Sequence, residues 1–130
     1  MHTVDLVDET FLAVPNDVLA QVIADPARWR EWWPQRRLEV FMDRGQKGLR
    51  WAVAGDLVGS SEIWLEAYRD GVILHYFVRA DPAAGPGAAS PSAREADRIR
   101  RAEALAWKQS VWNLKQELES GRAAGCPVPA

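Results

Sequence analysis

The chain has 130 residues, of which 48% are hydrophobic and 26% charged, and a formal net charge of −2. This is the length of one globular domain and the composition of an ordinary soluble protein. The acidic balance argues against a nucleic-acid partner, and a single cysteine, Cys126, excludes an intrachain disulfide and a cysteine-based zinc site.

The amino-terminal segment MHTVDLVDET lacks the basic region and apolar core of a secretory signal. No apolar run approaches the roughly 20 residues that a bilayer crossing requires. The glycine-containing segment AAGPGAAS lacks the lysine of a phosphate-binding loop. We therefore expect a soluble, cytoplasmic protein without stable membrane insertion, cofactor or metal site.

Residues 3–13 read as a first strand, with a shift in the apolar phase near Asp8 and Glu9 that suggests a β-bulge. Pro15 suits the start of a short helix that runs to about residue 24. Asp25 then caps a second helix, and Pro34 ends it. The sequence thus predicts two short helices directly after the first strand.

The second helix carries three of the seven tryptophans: Trp29, Trp32 and Trp33. Their spacing of i, i+3 and i+4 places all three on one helical face. We expect that face to look inward, with at least one ring in the core. Trp33, next to Pro34, is the ring most suited to contact a ligand.

Four strand-like segments follow between residues 37 and 80, separated by short Gly- and Asp-containing turns. Brief links between consecutive strands favour an antiparallel meander. Residues 80–93, rich in Pro, Ala, Gly and Ser, are expected to form a flexible loop. Ser92 and Glu95 then fit the capping box of a long helix that ends near Ser120, with Ser90 before Pro91 as an alternative cap. Residues 1–120 therefore form one predicted domain, and residues 121–130 a disordered tail.

The segment VPNDVLAQVIADPARWREWWP, with support from SSEIWLEAYRDGVILHYFVRADP, resembles the polyketide cyclase/dehydrase and START-like superfamily (SRPBCC). The likeness follows the order of elements along most of the chain and is loose at the level of residues. It implies an α+β helix-grip fold, in which a curved antiparallel sheet wraps a long C-terminal helix. About five strands are present here where the family has about seven, so the domain is a shortened version.

The resemblance implies an apolar cavity between the sheet and the long helix, and hence a hydrophobic ligand such as a polyketide, a lipid or an isoprenoid-like compound. We expect the strand positions Leu38, Val40 and Met42 to line this cavity. Ser61, Tyr76, Thr10 or Asp8 would orient a polar group of the ligand. The predicted ligand-binding residues are Trp33, Trp51, Val53, Ser61, Ile63, Leu74, Tyr76, Trp107 and Val111.

Two alternatives stay open beside ligand binding. The first is a cyclase- or dehydratase-type enzyme acting through Tyr76 or His75, although His75 is expected to point away from the cavity. Glu62 and Glu66, which share the outward face of one strand, are expected to be solvated and not catalytic. The second alternative is a non-catalytic interaction module. A homodimer through the open sheet edge or through an outer face containing Phe41 and Trp64 is also expected.

Overall fold

A computed structural model describes residues 2–84, 87 and 89–120 of the chain. The predicted tail, residues 121–130, lies outside the described residues, as do residues 85, 86 and 88 of the predicted loop. A single 3-10 turn, Gly45–Lys47, links the second and third strands. The elements in chain order are β1 (Val4–Leu12), α1 (Asn16–Ile23), α2 (Pro26–Trp32), β2 (Arg36–Asp43), β3 (Gly48–Gly55), β4 (Leu57–Tyr68), β5 (Gly71–Pro82) and α3 (Ala93–Glu119).

The five strands form one antiparallel sheet in the order β1-β5-β4-β3-β2. Strands β2 to β5 follow the predicted meander. Strand β1 pairs with β5, from Val4 opposite Ala80 to Leu12 opposite Val72. The α+β architecture with two short helices after the first strand and a long final helix is confirmed. β1 and β2 are left at the two edges of the sheet.

Local side-chain chemistry sets the beginnings of α2 and α3. The Asp25 carboxylate accepts a hydrogen bond of 2.9 Å from the Ala27 amide, and Pro26 occupies the first turn. The Ser92 hydroxyl accepts one of 3.1 Å from the Glu95 amide. Both caps were predicted from sequence, because each satisfies a backbone donor that has no partner within its helix.

The core lies between one face of the sheet, α1 and the stripe of α3 formed by Trp107, Val111 and Leu114. Alternate residues of β3, β4 and β5 turn to this inner face, as a half-buried strand requires. The buried inner positions of these three strands are Leu49, Trp51, Val53, Leu57, Ser61, Ile63, Leu65, Val72, Leu74, Tyr76, Val78 and Ala80.

The prediction of a bulge in β1 is wrong. The pairing of β1 with β5 runs without interruption from Val4 to Leu12. Asp8 and Thr10 therefore point to the inner face, in phase with the buried Val4 and Leu12. The apparent phase shift in the sequence arises because this face meets polar side chains of α3, described below.

The expectation that Val40 and Met42 line a cavity is also wrong. β2 is an edge strand, and Val40 and Met42 are both exposed. A bulge between Val40 and Met42 shifts the register, so that Met42 lies opposite Arg50, a residue of the outer face. Leu38, earlier in the strand, is partly buried and packs against the core as predicted.

Gly48 begins β3 with a φ of +114°, and a Cβ there would lie 2.0 Å from the carbonyl oxygen of Ile63. We expect Gly48→Ala to lower the free energy of unfolding by more than about 2 kcal/mol, measured by urea denaturation. Gly45→Ala is the matched control. Gly45 also has a positive φ, +59°, but a Cβ added there would have no atom within 4 Å. Its cost should stay near about 1 kcal/mol. Equal losses in the two variants would contradict the close backbone approach at Gly48.

Candidate functional site

Six aromatic rings occupy the space between the sheet and α3. Tyr76 and Trp107 stack with their centroids 4.0 Å apart. The Trp33 ring lies nearly parallel to both, 5.7 Å from Tyr76 and 5.8 Å from Trp107. We call this group the aromatic cluster; its members are Trp29, Trp32, Trp33, Trp51, Tyr76 and Trp107.

The three neighbouring tryptophans enter the aromatic cluster in different ways. Trp29 meets Trp51 edge to face at 5.3 Å, and its indole N–H donates to the Ile23 carbonyl at 2.7 Å. Trp32 ends α2, and its ring lies nearly perpendicular to the rings of Trp33 and Trp107. Trp33 lies just beyond the helix in a non-helical conformation, with φ −134° and ψ 68°. Its backbone amide still donates to the Trp29 carbonyl at 2.8 Å, so Trp33 is the C-cap residue of α2.

The nine predicted ligand-binding residues are all buried, each no more than 7% exposed, and all except the polar Ser61 belong to one hydrophobic core cluster. Trp33, Trp51, Tyr76 and Trp107 contact one another through their rings. In the described conformation the aromatic cluster thus fills the region in which a ligand was expected. Contact between these residues and a ligand stays a prediction.

Two buried polar atoms of the aromatic cluster, Trp51 Nε1 and Tyr76 Oη, make no hydrogen bond of ordinary geometry among the described residues, although the side chains of Arg36 and Trp33 lie close to the Tyr76 hydroxyl. Burial, and secondarily the nearby Glu103 carboxylate, raises the pKa of the Tyr76 phenol far above its ordinary value. Tyr76 is therefore a neutral hydroxyl at every physiological pH. It can donate a proton in a hydrogen bond, but it is not a base.

Beside the aromatic cluster, a buried arginine holds two carboxylates. The Arg36 side chain is only 5% exposed and bonds Glu103 of α3, whose side chain is 12% exposed. Its Nε also lies 3.1 Å from Asp56 Oδ1. Burial is the largest single influence and would lower the pKa of Arg36, but the bond to Glu103 and the negative charges around the guanidinium together outweigh it, so the pKa is raised. Sequence analysis did not predict this charged group, because its members are far apart along the chain.

A groove of about 150 Å³ opens where Arg36 and Glu103 meet the aromatic cluster. Its lining combines aromatic rings with the charged group, so the groove offers apolar surface next to fixed polar groups. We call it the mouth groove. Its lining residues are Trp32, Trp33, Pro34, Gln35, Arg36, Asp56, Glu103, Ala106 and Trp107.

Asp8 and Thr10, two predicted orienting residues, bond the protein's own side chains. The Asp8 carboxylate accepts from Trp107 Nε1 at 3.1 Å and from the Thr10 hydroxyl at 3.0 Å. It also pairs with Lys108 Nζ at 2.8 Å. These bonds tie β1 to α3 and fix the orientation of the Trp107 indole.

His75, the second catalytic candidate, lies on the outer face of the sheet and not beside the mouth groove. Its Nε2 is 2.9 Å from Glu66 Oε1, and its Nδ1 is 3.4 Å from Glu9 Oε1. The ring is buried because Trp64 stacks on it with centroids 4.3 Å apart. Tyr76 and His75 face opposite sides of the sheet, so the two do not form one catalytic pair.

The expectation that Glu62 is solvated is wrong: its side chain is 16% exposed and 2.7 Å from Arg50 Nε. Phe41, on the same outer face, is 55% exposed and lies under the Arg50 guanidinium at 5.9 Å. An outer groove of about 300 Å³ is lined by Phe41, Arg50, Ser60, Glu62, Phe77 and Arg79, and also by Ser61, although Ser61 is in phase with the inner-face positions of its strand.

No protein-family profile and no curated protein matches the sequence. Solved structures do match in three dimensions. The Aha1 dimer from Colwellia psychrerythraea gives a TM-score of 0.63 at 12% identity, over 92% of this chain and 99% of that one. The protein DR_A0006 from Deinococcus radiodurans gives 0.65 at 12% identity, over 90% and 98%. DynU16, from the dynemicin biosynthetic locus, gives 0.59 at 16% identity, over 90% and 48%.

The chain has the helix-grip fold. The fold implied by the sequence resemblance is thereby confirmed, with a five-stranded sheet. At identities of 12–16% these structures are evidence for the fold alone. None of the helices in the described part of the chain has both the length and the apolar character needed to cross a membrane.

Proposed function

We propose that the protein binds a hydrophobic small molecule of polyketide, lipid or isoprenoid type through the mouth groove. The observation that carries this proposal is the buried Arg36–Glu103 pair beside the three tryptophans of the aromatic cluster that line the mouth groove. Taking two charges out of water is costly, and an apolar packing would serve the fold as well. Apolar walls with a few fixed polar groups are typical of small-molecule sites.

Full enclosure of a ligand requires one ring to move. The mouth groove, at about 150 Å³, is smaller than the roughly 300–1,000 Å³ of most ligand pockets. Trp33 is the ring best placed to move, because it lies outside α2 and lines the mouth groove. A ligand in its place would stack on Tyr76 and Trp107, and its oxygen atoms would accept from Trp51 Nε1 and Tyr76 Oη. Val53, Ser61, Ile63, Leu74 and Val111 would form the deeper wall.

The neutral fluorophore N-phenyl-1-naphthylamine tests the site by titration. We expect saturable binding to the unmodified protein and at least a tenfold loss in Ala106→Trp, whose new ring would fill the mouth groove. Ala102→Trp is the matched control: it adds the same ring to an exposed position of α3, one turn earlier and outside the groove. Equal affinity of the two variants for the fluorophore would contradict binding at the mouth groove.

Trp33→Ala tests the displacement step with the same fluorophore. Because no ring then has to leave, we expect tighter binding than in the unmodified protein. Unchanged or weaker binding would remove the displacement from the proposal and leave only the mouth groove. Native mass spectrometry of protein purified from several hosts would reveal a retained natural ligand.

A non-catalytic interaction module is the second candidate. It is favoured by the close packing of the aromatic cluster, in which Trp51 packs on Trp33 and Tyr76 stacks on Trp107. Absence of fluorophore binding, together with a dimer in light scattering that Phe41→Ala dissolves, would favour this candidate. The enzyme alternative would instead require Tyr76→Phe to abolish turnover at unchanged ligand affinity.

A further inference from the structure

The face of α3 that points away from the core carries two large apolar side chains. Leu105 is 72% exposed and Trp112 is 54% exposed. They are seven residues apart, which is two helical turns, and lie opposite the buried stripe of Trp107, Val111 and Leu114. Exposed tryptophan is uncommon on a protein that has no partner there, since its ring has a large apolar area.

The same face is basic. Arg94, Arg98, Arg101 and Lys108 are all exposed and fall within about 60° of Leu105 around the helix axis, while the exposed Glu95 and Asp97 lie at the margins of the face, about 80° away. Arg98 lies 3.9 Å from Glu95, Arg101 lies 2.9 Å from Asp97, and Lys108 pairs with Asp8. The two arginine pairs are exposed and hence weak, so both guanidinium groups can still attract a further anion. A basic face is unusual in a chain whose net charge is −2.

We propose that this basic face of α3 docks on an anionic lipid surface. A helix with Lys or Arg and large apolar side chains on one face lies in the membrane interface, with the apolar groups among the acyl chains and the cations at the headgroups. Trp is well suited to that boundary, because its ring is apolar while its N–H stays hydrated. Docking of this kind needs no helix that spans the bilayer.

Charge favours a lipid surface over a second copy of the chain. A two-fold pair of α3 helices would bring a second set of Arg and Lys side chains to the same interface, and like charges repel. An anionic membrane instead neutralises all of them at once. The two apolar side chains lie about 10 Å apart along the helix axis, a linear arrangement that fits a flat surface. This inference does not depend on the mouth groove.

Vesicle flotation tests the inference. We expect the protein to float with phosphatidylcholine vesicles that contain about 30% phosphatidylglycerol and not with phosphatidylcholine alone. Trp112→Ala should lower binding about tenfold, and the double variant Arg98→Gln/Arg101→Gln by a similar factor. Phe41→Ala, which removes an exposed ring from the opposite side of the sheet, should bind like the unmodified protein.

Several results would overturn the inference. One is equal binding to neutral and anionic vesicles, or equal losses in Trp112→Ala and Phe41→Ala. Another is the absence of vesicle binding together with a smaller assembly in Trp112→Ala by light scattering, which would assign the face to a second copy. Retention of single-stranded DNA by this face, without vesicle binding, would assign it to nucleic acid. Circular dichroism of each variant separates these outcomes from a loss of folding.

Discussion

Trp107→Ala is expected to lower the free energy of unfolding by about 4 kcal/mol, the usual cost of truncating a buried tryptophan. Trp107 is 2% exposed and stacks on Tyr76. Its indole N–H donates to Asp8, so the truncation also removes one partner of a carboxylate at the interface of β1 and α3. Urea denaturation followed by far-ultraviolet circular dichroism measures the loss without relying on tryptophan fluorescence.

Trp112→Ala provides the matched control on the same helix. Trp112 is exposed, and its removal should change the free energy of unfolding by less than about 0.5 kcal/mol. A small loss in Trp107→Ala, close to that of Trp112→Ala, would mean that the aromatic cluster can rearrange to fill the space. In that case the cluster would be far more adaptable than its stacked geometry indicates.

Glu103→Gln should destabilise the fold by about 3 kcal/mol, because it leaves the buried Arg36 guanidinium without its main counter-charge. The retained Asp56 carboxylate, 3.1 Å from Arg36 Nε, keeps the loss at the lower end of the range for buried pairs. Urea denaturation at neutral pH gives the value. The double variant Arg36→Met/Glu103→Leu should lose less than the single variant, since it removes both charges together.

Arg28 and Glu117 form a more exposed ion pair that can be compared with the buried Arg36–Glu103 pair; the Glu117 side chain is 50% exposed. Glu117→Gln should cost less than about 1 kcal/mol. The hydrogen bond from Arg28 lowers the pKa of Glu117, so this small stabilisation is present above the ordinary carboxyl range and is lost as the pH falls through the lowered value. Glu117→Gln and the unmodified protein should therefore converge in acid. If Glu117→Gln lowered the free energy of unfolding as much as Glu103→Gln, burial would not be the reason for the larger effect at Glu103.

Sequence alone predicted the strands that have one buried and one exposed face. Trp51, Ile63 and Tyr76 all lie on the inner face as expected, because burial on one side imposes an alternation of period two. The two short helices and α3 were predicted from caps and apolar spacing. The resemblance to helix-grip proteins was needed to arrange these elements around α3, since no local pattern specifies that β1 pairs with β5.

Other features depend on contacts that a local pattern does not contain. The bulge in β2 turns Met42 to the outer face, and an exposed edge strand places little constraint on its side chains. Asp8 points inward because Trp107 and Lys108 meet it from α3. The Arg36–Glu103 pair joins residues from opposite halves of the chain, so neither residue differs in sequence from an ordinary surface charge.

The pairing of β1 with β5 bears on the order of events during synthesis of the chain. Val4 and its partner Ala80 are separated by most of the meander, and Trp107, which bonds Asp8, emerges later still. Closing so long a segment is entropically slow, so β1 must wait for β5 before it joins the sheet. While the ribosome translates residues 13–71, the first strand has no partner in the sheet. The charges at Asp5, Asp8 and Glu9 would help to keep this waiting segment from aggregating.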